Sequence, residues 1–393
     1  MKVVHFCTHS SGGAAIAAIR LHTLLRENGI DSSIVFLYKN NSAVKNSFDF
    51  RDSLSFTKKI SAKVQNKLLL ASQQKKIKSR GEAPELFSFP QSAWDISNHP
   101  LVQTADVVHF HWMANFLDYR SFSLKGFANK KICWTLHDQN PFSGGFHYEG
   151  WFNNEPWTAL SKSNQKYKYD YTAGANITLI APSEWIMHAS QNSFVFKSKK
   201  HVHIQNPSSD SFFYMGKEPA RSQLGIKAEK KICFLPGDNI NYLRKGMTEL
   251  EVLLAKEKTG ITFLTTGLRP MNLGTNEQHF MGIVSDEQKM ALCYNASDLI
   301  AFPSLDENYS NTLVESMLCG CPAVCFDIGG NKEIVKDHRF GKTIAYKNWE
   351  GLISTIREHR FTEEQHKQLA EKASVEFASA PLVEKMISLY KGL

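Results

Sequence analysis

The sequence predicts an α/β protein of two domains, each built on a parallel sheet covered by helices on both faces. Three observations lead there. Residues 3–37 read as strand, glycine turn, helix, strand. A second alternation of strands and helices runs from Ile232 to Phe326. Residues 206–225, with Asn206, Pro207, Ser208, Ser209 and Pro219, form the best linker candidate between them. A chain of 393 residues suits two domains of roughly 100–200 residues each. The expected division is 1–205, 206–378, and a C-terminal helix at 379–393 free to pack back on the N-terminal domain.

Val3–Cys7 is a short apolar run suited to a buried parallel strand. Ser10-Ser11-Gly12-Gly13 turns the chain, and Ala14, Ala17, Ala18, Leu21 and Leu25 then recur at helical spacing. Asn28-Gly29 stops that helix, and Ser33–Leu37 is the next strand. Residues 51–85 set eight basic side chains, from Lys58 to Arg80, among Leu54, Phe56, Ile60, Val64 and Leu68. This reads as a basic amphipathic helix, either solvated or in contact with anionic lipid. Strands follow at Val107–His111, Ile132–Leu136 and Ile177–Ala181, with a helix start at Ser183 and an aromatic-rich loop at 139–160. In the second half, strands are expected at Ile232–Leu235, Ile261–Thr265, Leu299–Phe302 and Ala323–Phe326. Helices are expected at about 246–257, 286–295, 311–319 and 379–391, with Ser285 and Gln288 as a capping box for the second. Two such sheets leave a cleft at the carboxyl ends of their strands, where ligands of open α/β sheets bind.

With 42% apolar and 21% charged residues, disorder and fibrous repeats are excluded as the main state. No apolar run approaches the roughly 20 residues of a membrane helix, and Val3–Cys7 is too short for a signal peptide. The expectation is a cytoplasmic protein, peripheral at the inner face of the plasma membrane if residues 51–85 bind lipid. Forty-six basic against 38 acidic residues give +8. That permits an anionic ligand but gives no case for nucleic acid. Seven scattered cysteines form no C-x-x-C pair; four sit in apolar, strand-like runs where a free thiol packs as a small hydrophobe, and Cys319, Cys321 and Cys325 read better as a helix stop and strand than as a metal site.

The densest chemistry lies at 304–330. Phe302-Pro303 ends a strand, and Glu307 follows in the loop. Ser310 or Asn311 caps a helix whose free N–H groups and dipole suit a diphosphate. Glu315, one turn into that helix, can accept hydrogen bonds from ribose hydroxyls. In isolation, two glutamates eight residues apart are more often surface groups. Arg244-Lys245-Gly246, at a strand-to-helix turn, can neutralise a diphosphate leaving group without proton transfer. Gly12-Gly13 misses the G-x-G-x-x-G dinucleotide pattern, although two glycines opening a helix let backbone approach a phosphate. His137 and Asp138 stand just past a strand end. His109-x-His111 with His137 has a spacing open to metal, but no metal is expected, and the chain has no D-x-D.

Glu307 to Glu315, the preceding Pro303-Ser304, the following Glu315-Ser316-Met317, the turn Gly320-Cys321-Pro322 and Gly329-Gly330 together resemble the E-x7-E signature of retaining GT-B glycosyltransferases of family 4. The resemblance implies a GT-B fold, two Rossmann-like domains facing each other across a cleft. It implies that Glu307 contacts donor hexose hydroxyls, that backbone amides of Asn308, Tyr309, Ser310, Asn311 and Thr312 hold the diphosphate, and that Glu315 binds ribose. Lys245 matches the family lysine. The family arginine is missing at Gly237-Asp238-Asn239, where Arg244 is the candidate substitute. The Gly12-Gly13 loop faces the donor in this family, and His137 lies near the anomeric centre.

The subset most similar to this chain builds capsule, colanic-acid-like and O-antigen polysaccharides. Its usual Gly-Gly-Cys-His-Tyr stretch is Gly144-Gly145-Phe146-His147-Tyr148 here. The implied reaction takes a sugar from a UDP-, GDP- or dTDP-sugar to a hydroxyl of a lipid-linked bacterial glycan, with retention and without metal or other cofactor. The alternatives are a sugar-nucleotide epimerase or phosphorylase of the same shape, and a non-catalytic sugar-nucleotide-binding assembly protein.

Overall fold

The computed structural model describes every residue except 41–43, 128–129, 151, 153–154, 228–229, 238–241 and 336–340. The chain divides into two compact units, Met1–Pro207 with Ala380–Leu393, and Ser208–Ser379. Each has its own parallel sheet, and the architecture is α/β.

In the first unit the strands are β1 (Lys2–His9), β2 (Asp31–Tyr38), β3 (Ser47–Asp49), β4 (Val107–Phe110), β5 (Lys131–Thr135), β6 (Ile177–Ala181) and β7 (Lys200–His203). Their order across the sheet is β3-β2-β1-β4-β5-β6-β7, every pair parallel. The reversal of direction beside β1 is the switch point of a doubly wound sheet. The register sets His5 on β1 opposite His109 on β4. One face is filled by Phe6, Phe110, Trp134 and Phe116. On the other, helices Gly13–Glu27 and Ser379–Lys391 pack Leu21, Leu25, Met386 and Tyr390 against Val3 and Val107.

The second unit comprises β8 (Ile232–Leu235), β9 (Thr262–Thr265), β10 (Glu277–Phe280), β11 (Leu299–Phe302), β12 (Ala323–Phe326) and β13 (Gly341–Ile344). The order is β10-β9-β8-β11-β12-β13, again all parallel. The central strands β8, β11 and β12 are buried along their whole length, which is why they read as unbroken apolar runs.

Two local expectations are corrected. The helix Glu287–Ala296 is capped by Asp286, whose carboxylate accepts the Lys289 N–H at 2.7 Å, and not by Ser285. An ionised aspartate one residue later is an equally good cap and favours the helix dipole. Within the linker candidate, Lys217–Leu224 is a helix. Pro219 sits in its first turn, where the missing N–H has no intrahelical partner to lose. Gly225, left-handed at φ 69°, ends it.

The basic segment contains a helix, Phe56–Lys78, with Gln73 as its buried residue. Phe56, Ile60, Val64 and Leu68, four residues apart, are all more than half exposed. Among the described residues no helix is long and apolar enough to cross a membrane. All seven cysteines are free and buried.

Candidate functional site

In the second unit, the chain leaves β11 at Phe302 and runs through Pro303–Ser310 into the helix Asn311–Leu318. Ser310 caps that helix, its hydroxyl accepting the Leu313 N–H at 3.3 Å. Glu307, 6% exposed, lies in the loop, and Glu315, 8% exposed, lies in the helix. The Glu307 carbonyl accepts the Gly330 N–H at 3.3 Å, so the loop after β12 holds the loop after β11. Gly329 passes close: a Cβ there would lie 1.9 Å from the Glu307 carbonyl oxygen.

The Glu307 carboxylate has two cationic neighbours. Lys245 Nζ donates to Oε2 at 2.5 Å, and Arg244 Nη1 lies 3.5 Å from the same oxygen. Burial pushes the Glu307 carboxyl up. Lys245, then Arg244, overcome this and hold it below its ordinary value. Arg244 also donates to the Asp306 carbonyl at 2.7 Å, and Leu305 N–H returns a bond to the Arg244 carbonyl at 2.7 Å. These bonds clamp the turn after β8 to the loop after β11. Gly246, left-handed at φ 66°, makes the approach possible, since a Cβ there would meet the Pro303 oxygen at 2.1 Å. The helix Met247–Leu254 starts directly after it.

Glu315 accepts a bond from the buried Tyr294 hydroxyl at 3.1 Å. The Tyr309 ring belongs to the core of this unit, while Asn311 and Thr312 are half-buried at the helix start. Thus the structure gathers Arg244, Lys245, Glu307, Asn308, Ser310, Asn311, Thr312 and Glu315 around the β8 and β11 loop ends. The pair Asp238-Asn239, where the resembling family has its arginine, lies outside the described residues.

The remaining candidates are in the first unit. Gly12, at φ 89°, precedes the helix Gly13–Glu27, and a Cβ on either Gly12 or Gly13 would meet nothing within 4 Å. His137 is half-buried just past β5. Its Nε2 lies 3.0 Å from His111 Nδ1, and His111 Nε2 lies 3.0 Å from His5 Nδ1. Asp138 accepts from Trp112 Nε1 at 2.7 Å and the Asn140 N–H at 2.9 Å, and lies 2.5 Å from His147 Nδ1. Burial raises its carboxyl, and these partners, His147 foremost, hold it below the usual value. The buried Lys168 ammonium, lowered by burial to about 7, donates to the carbonyls of Asn140 and Ser143, bracing the same loop. Sequence reasoning gave no signal for Lys168 or for the role of His5.

Burial also lowers the imidazoles. His109 falls to about 3, His137 to about 4, and His5 and His111 well below the ordinary value. These groups are neutral when folded and take up protons only once unfolded, near pH 6.5. Their contribution is present above that pH and is lost as pH falls from about 6.5 toward 4. Each of the fully buried His5, His109 and His111 is expected to remove at most about 1.4 kcal/mol per pH unit. Urea unfolding of the first unit between about pH 7.5 and 5 checks this, and a flat profile would contradict it.

The chain is similar to several known proteins. Residues 271–375 match the family model described as "Glycosyl transferases group 1". The D-inositol 3-phosphate glycosyltransferase of Mycobacteroides abscessus is 26% identical over 164 residues, 38% of this chain and 36% of that protein. The enzyme of the same description from Segniliparus rotundus is 27% identical over 159 residues, 36% of this chain and 35% of that protein. The matched region thus spans about a third of each curated relative.

Among solved structures, sucrose-phosphate synthase from Thermosynechococcus elongatus superposes with a TM-score of 0.70 at 15% identity, covering 100% of this chain and 98% of that one. WaaG, a glycosyltransferase involved in lipopolysaccharide biosynthesis, gives 0.65 at 15% identity with both chains covered at 100%. Anabaena HepE, solved with UDP and glucose, gives 0.64 at 16% identity with the same coverage. At these identities the structural likeness shows the GT-B fold. The residues matched by the family model contain both Glu307 and Glu315.

Proposed function

We propose that this protein transfers a sugar, with retention of anomeric configuration, from a nucleoside diphosphate sugar to a hydroxyl of a lipid-linked glycan. The observation that carries the reading is the buried Glu307 with the half-buried Lys245 and Arg244 beside the N-terminus of the helix Asn311–Leu318. Glu307 holds the Lys245 ammonium and the Arg244 guanidinium at the loop ends, and the helix start adds oriented N–H groups. Both favour the diphosphate as it departs, so the leaving oxygen needs no proton. Glu307 orients the donor hexose and keeps Lys245 in place. Glu315, already holding the Tyr294 hydroxyl, accepts from the ribose. No metal or other cofactor enters this account. Attack comes from the face the diphosphate leaves, aided by its own oxygens.

The relatives and neighbours that bear on this include enzymes described as glycosyltransferases and a protein solved with UDP and glucose. The test is release of nucleoside diphosphate from UDP-, GDP- and dTDP-sugars with and without lipid-linked glycan acceptors. Acceptor-dependent release supports transfer. Conversion of the donor without acceptor points to an epimerase or phosphorylase, and binding without turnover to an assembly protein.

The lipid-linked acceptor is favoured by the helix Phe56–Lys78. Residues 55–80 carry eight cations and no acid, with Phe56 77% and Leu68 68% exposed. Apolar anchors among lysines fit an anionic membrane surface. Vesicles containing anionic lipid are expected to sediment the protein. Lys58→Glu/Lys63→Glu/Lys67→Glu is expected to lower the partition about tenfold or more, at about 1 kcal/mol per charge near the surface. Equal partition onto neutral vesicles would contradict this reading.

A further inference from the structure

Three imidazoles in the first unit form one hydrogen-bonded chain. His5 stands on β1, His111 just after β4, and His137 just after β5. The contacts are His5 Nδ1 to His111 Nε2 and His111 Nδ1 to His137 Nε2, both 3.0 Å. The rings lie roughly parallel, with interplanar angles of 30° and 28°. His111 is fixed by its backbone as well. Its N–H donates to the Phe6 carbonyl at 2.9 Å, and its carbonyl accepts from Trp134 Nε1 at 3.0 Å.

His5, His109 and His111 also present nitrogens within 4.8 Å of one another, a spacing open to a metal ion. The pairing speaks against it. Both nitrogens of His111 are engaged in the chain. Both of His109 are bonded, to the Tyr390 hydroxyl at 2.6 Å and the Thr135 hydroxyl at 2.8 Å. Of the nitrogens of these three rings, only His5 Nε2 is left without a bond.

That same atom sets the direction of the chain. Three neutral rings hold three protons, and two of these make the two N–H···N bonds. The third sits at one end. If it sat on His5 Nε2, a donor would be buried without an acceptor. Native interiors avoid an orphaned N–H more strongly than an underused acceptor. The third proton therefore belongs at the other end, on His137 Nδ1. We infer that His5 and His111 are positioning residues that fix His137 as the Nδ1–H tautomer, which presents a donor at Nδ1 and not a general base. This rests on the proposed transfer reaction for its purpose, though not for its geometry. It also accords with front-face attack, in which the departing phosphate takes the acceptor proton.

The test is long-range proton–nitrogen correlation on the full chain labelled with 15N-histidine, near pH 7.5. The wild-type spectrum is expected to assign the proton of His137 to Nδ1 and that of His111 to Nδ1. His111→Leu is expected to release the fixed tautomer of His137 and lower kcat about tenfold, with donor KM nearly unchanged, the scale for losing an outer-shell orienting bond. His111→Asn, which keeps a donor near the former Nδ1, is expected to recover most of that loss and the tautomer. A proton on His137 Nε2 in the wild type would overturn the inference without any variant. So would an unchanged His137 pattern in His111→Leu. If the tautomer is as inferred while His137→Ala turns over normally, the chain stands and the role given to His137 in transfer falls.

Discussion

Lys245→Ala and Glu307→Ala are each expected to lower glycosyl transfer by about 10²-fold or more, the scale for losing one preorganised electrostatic contact. The two arrive at that loss differently. Without Lys245, the buried Glu307 keeps Arg244 at 3.5 Å as its neighbour, and the carboxylate approaches the departing diphosphate poorly compensated. Without Glu307, Lys245 and Arg244 lose their shared anion and repel each other, so donor orientation and leaving-group contact fail together. Because the groups act as one unit, the double variant is expected to lose far less than the product of the single losses. Steady-state kcat and kcat/KM on the folded variants check this. Near-wild-type turnover in both single variants would refute the site.

Gly329→Ala is expected to destabilise the second unit by about 3 kcal/mol or more and to weaken donor binding with it. Gly329 is left-handed at φ 46°. An added Cβ would lie 1.9 Å from the Glu307 carbonyl oxygen and 3.1 Å from its carbonyl carbon. Both are backbone atoms, so no flexible side chain can yield. Relief requires the loop after β12 to draw away from the loop after β11. That breaks the Gly330 bond to the Glu307 carbonyl and shifts the carboxylate off Lys245. Urea unfolding with donor titration reads both effects. A loss below about 1 kcal/mol would show that the two loops are not locked together.

The fold was most legible where strands are buried on both faces. Ile177–Ala181, Ile232–Leu235, Leu299–Phe302 and Ala323–Phe326 stand out as apolar runs because water reaches neither side. The edge strands Ser47–Asp49 and Glu277–Phe280 were not legible. They are short and partly exposed, and their residues carry no alternation to read. Pro219 suggested a linker because proline breaks helices in their interior, yet in a first turn it costs nothing.

At the site, the individual groups were legible and their pairing was not. Glu307 and Lys245 each lie in a recognisable turn. Their separation of 62 positions gives no sign that one accepts from the other. His109-x-His111 with His137 suggested a metal spacing at most, and His5 gave no signal. That His5 and His111 run in series to His137 depends on strand register, which single residues do not encode.

The central claim is that the β8 and β11 loops of the second unit grip a nucleoside diphosphate through Lys245, Arg244 and the amides ahead of Asn311. Thermal unfolding during titration with UDP-, GDP- and dTDP-sugars tests it most directly, since a ligand at 100 times its Kd stabilises by about 2.7 kcal/mol. The expected result is a saturable upward shift with at least one donor, abolished in Lys245→Ala/Arg244→Ala. No shift with any donor, or an equal shift in that double variant, would contradict it.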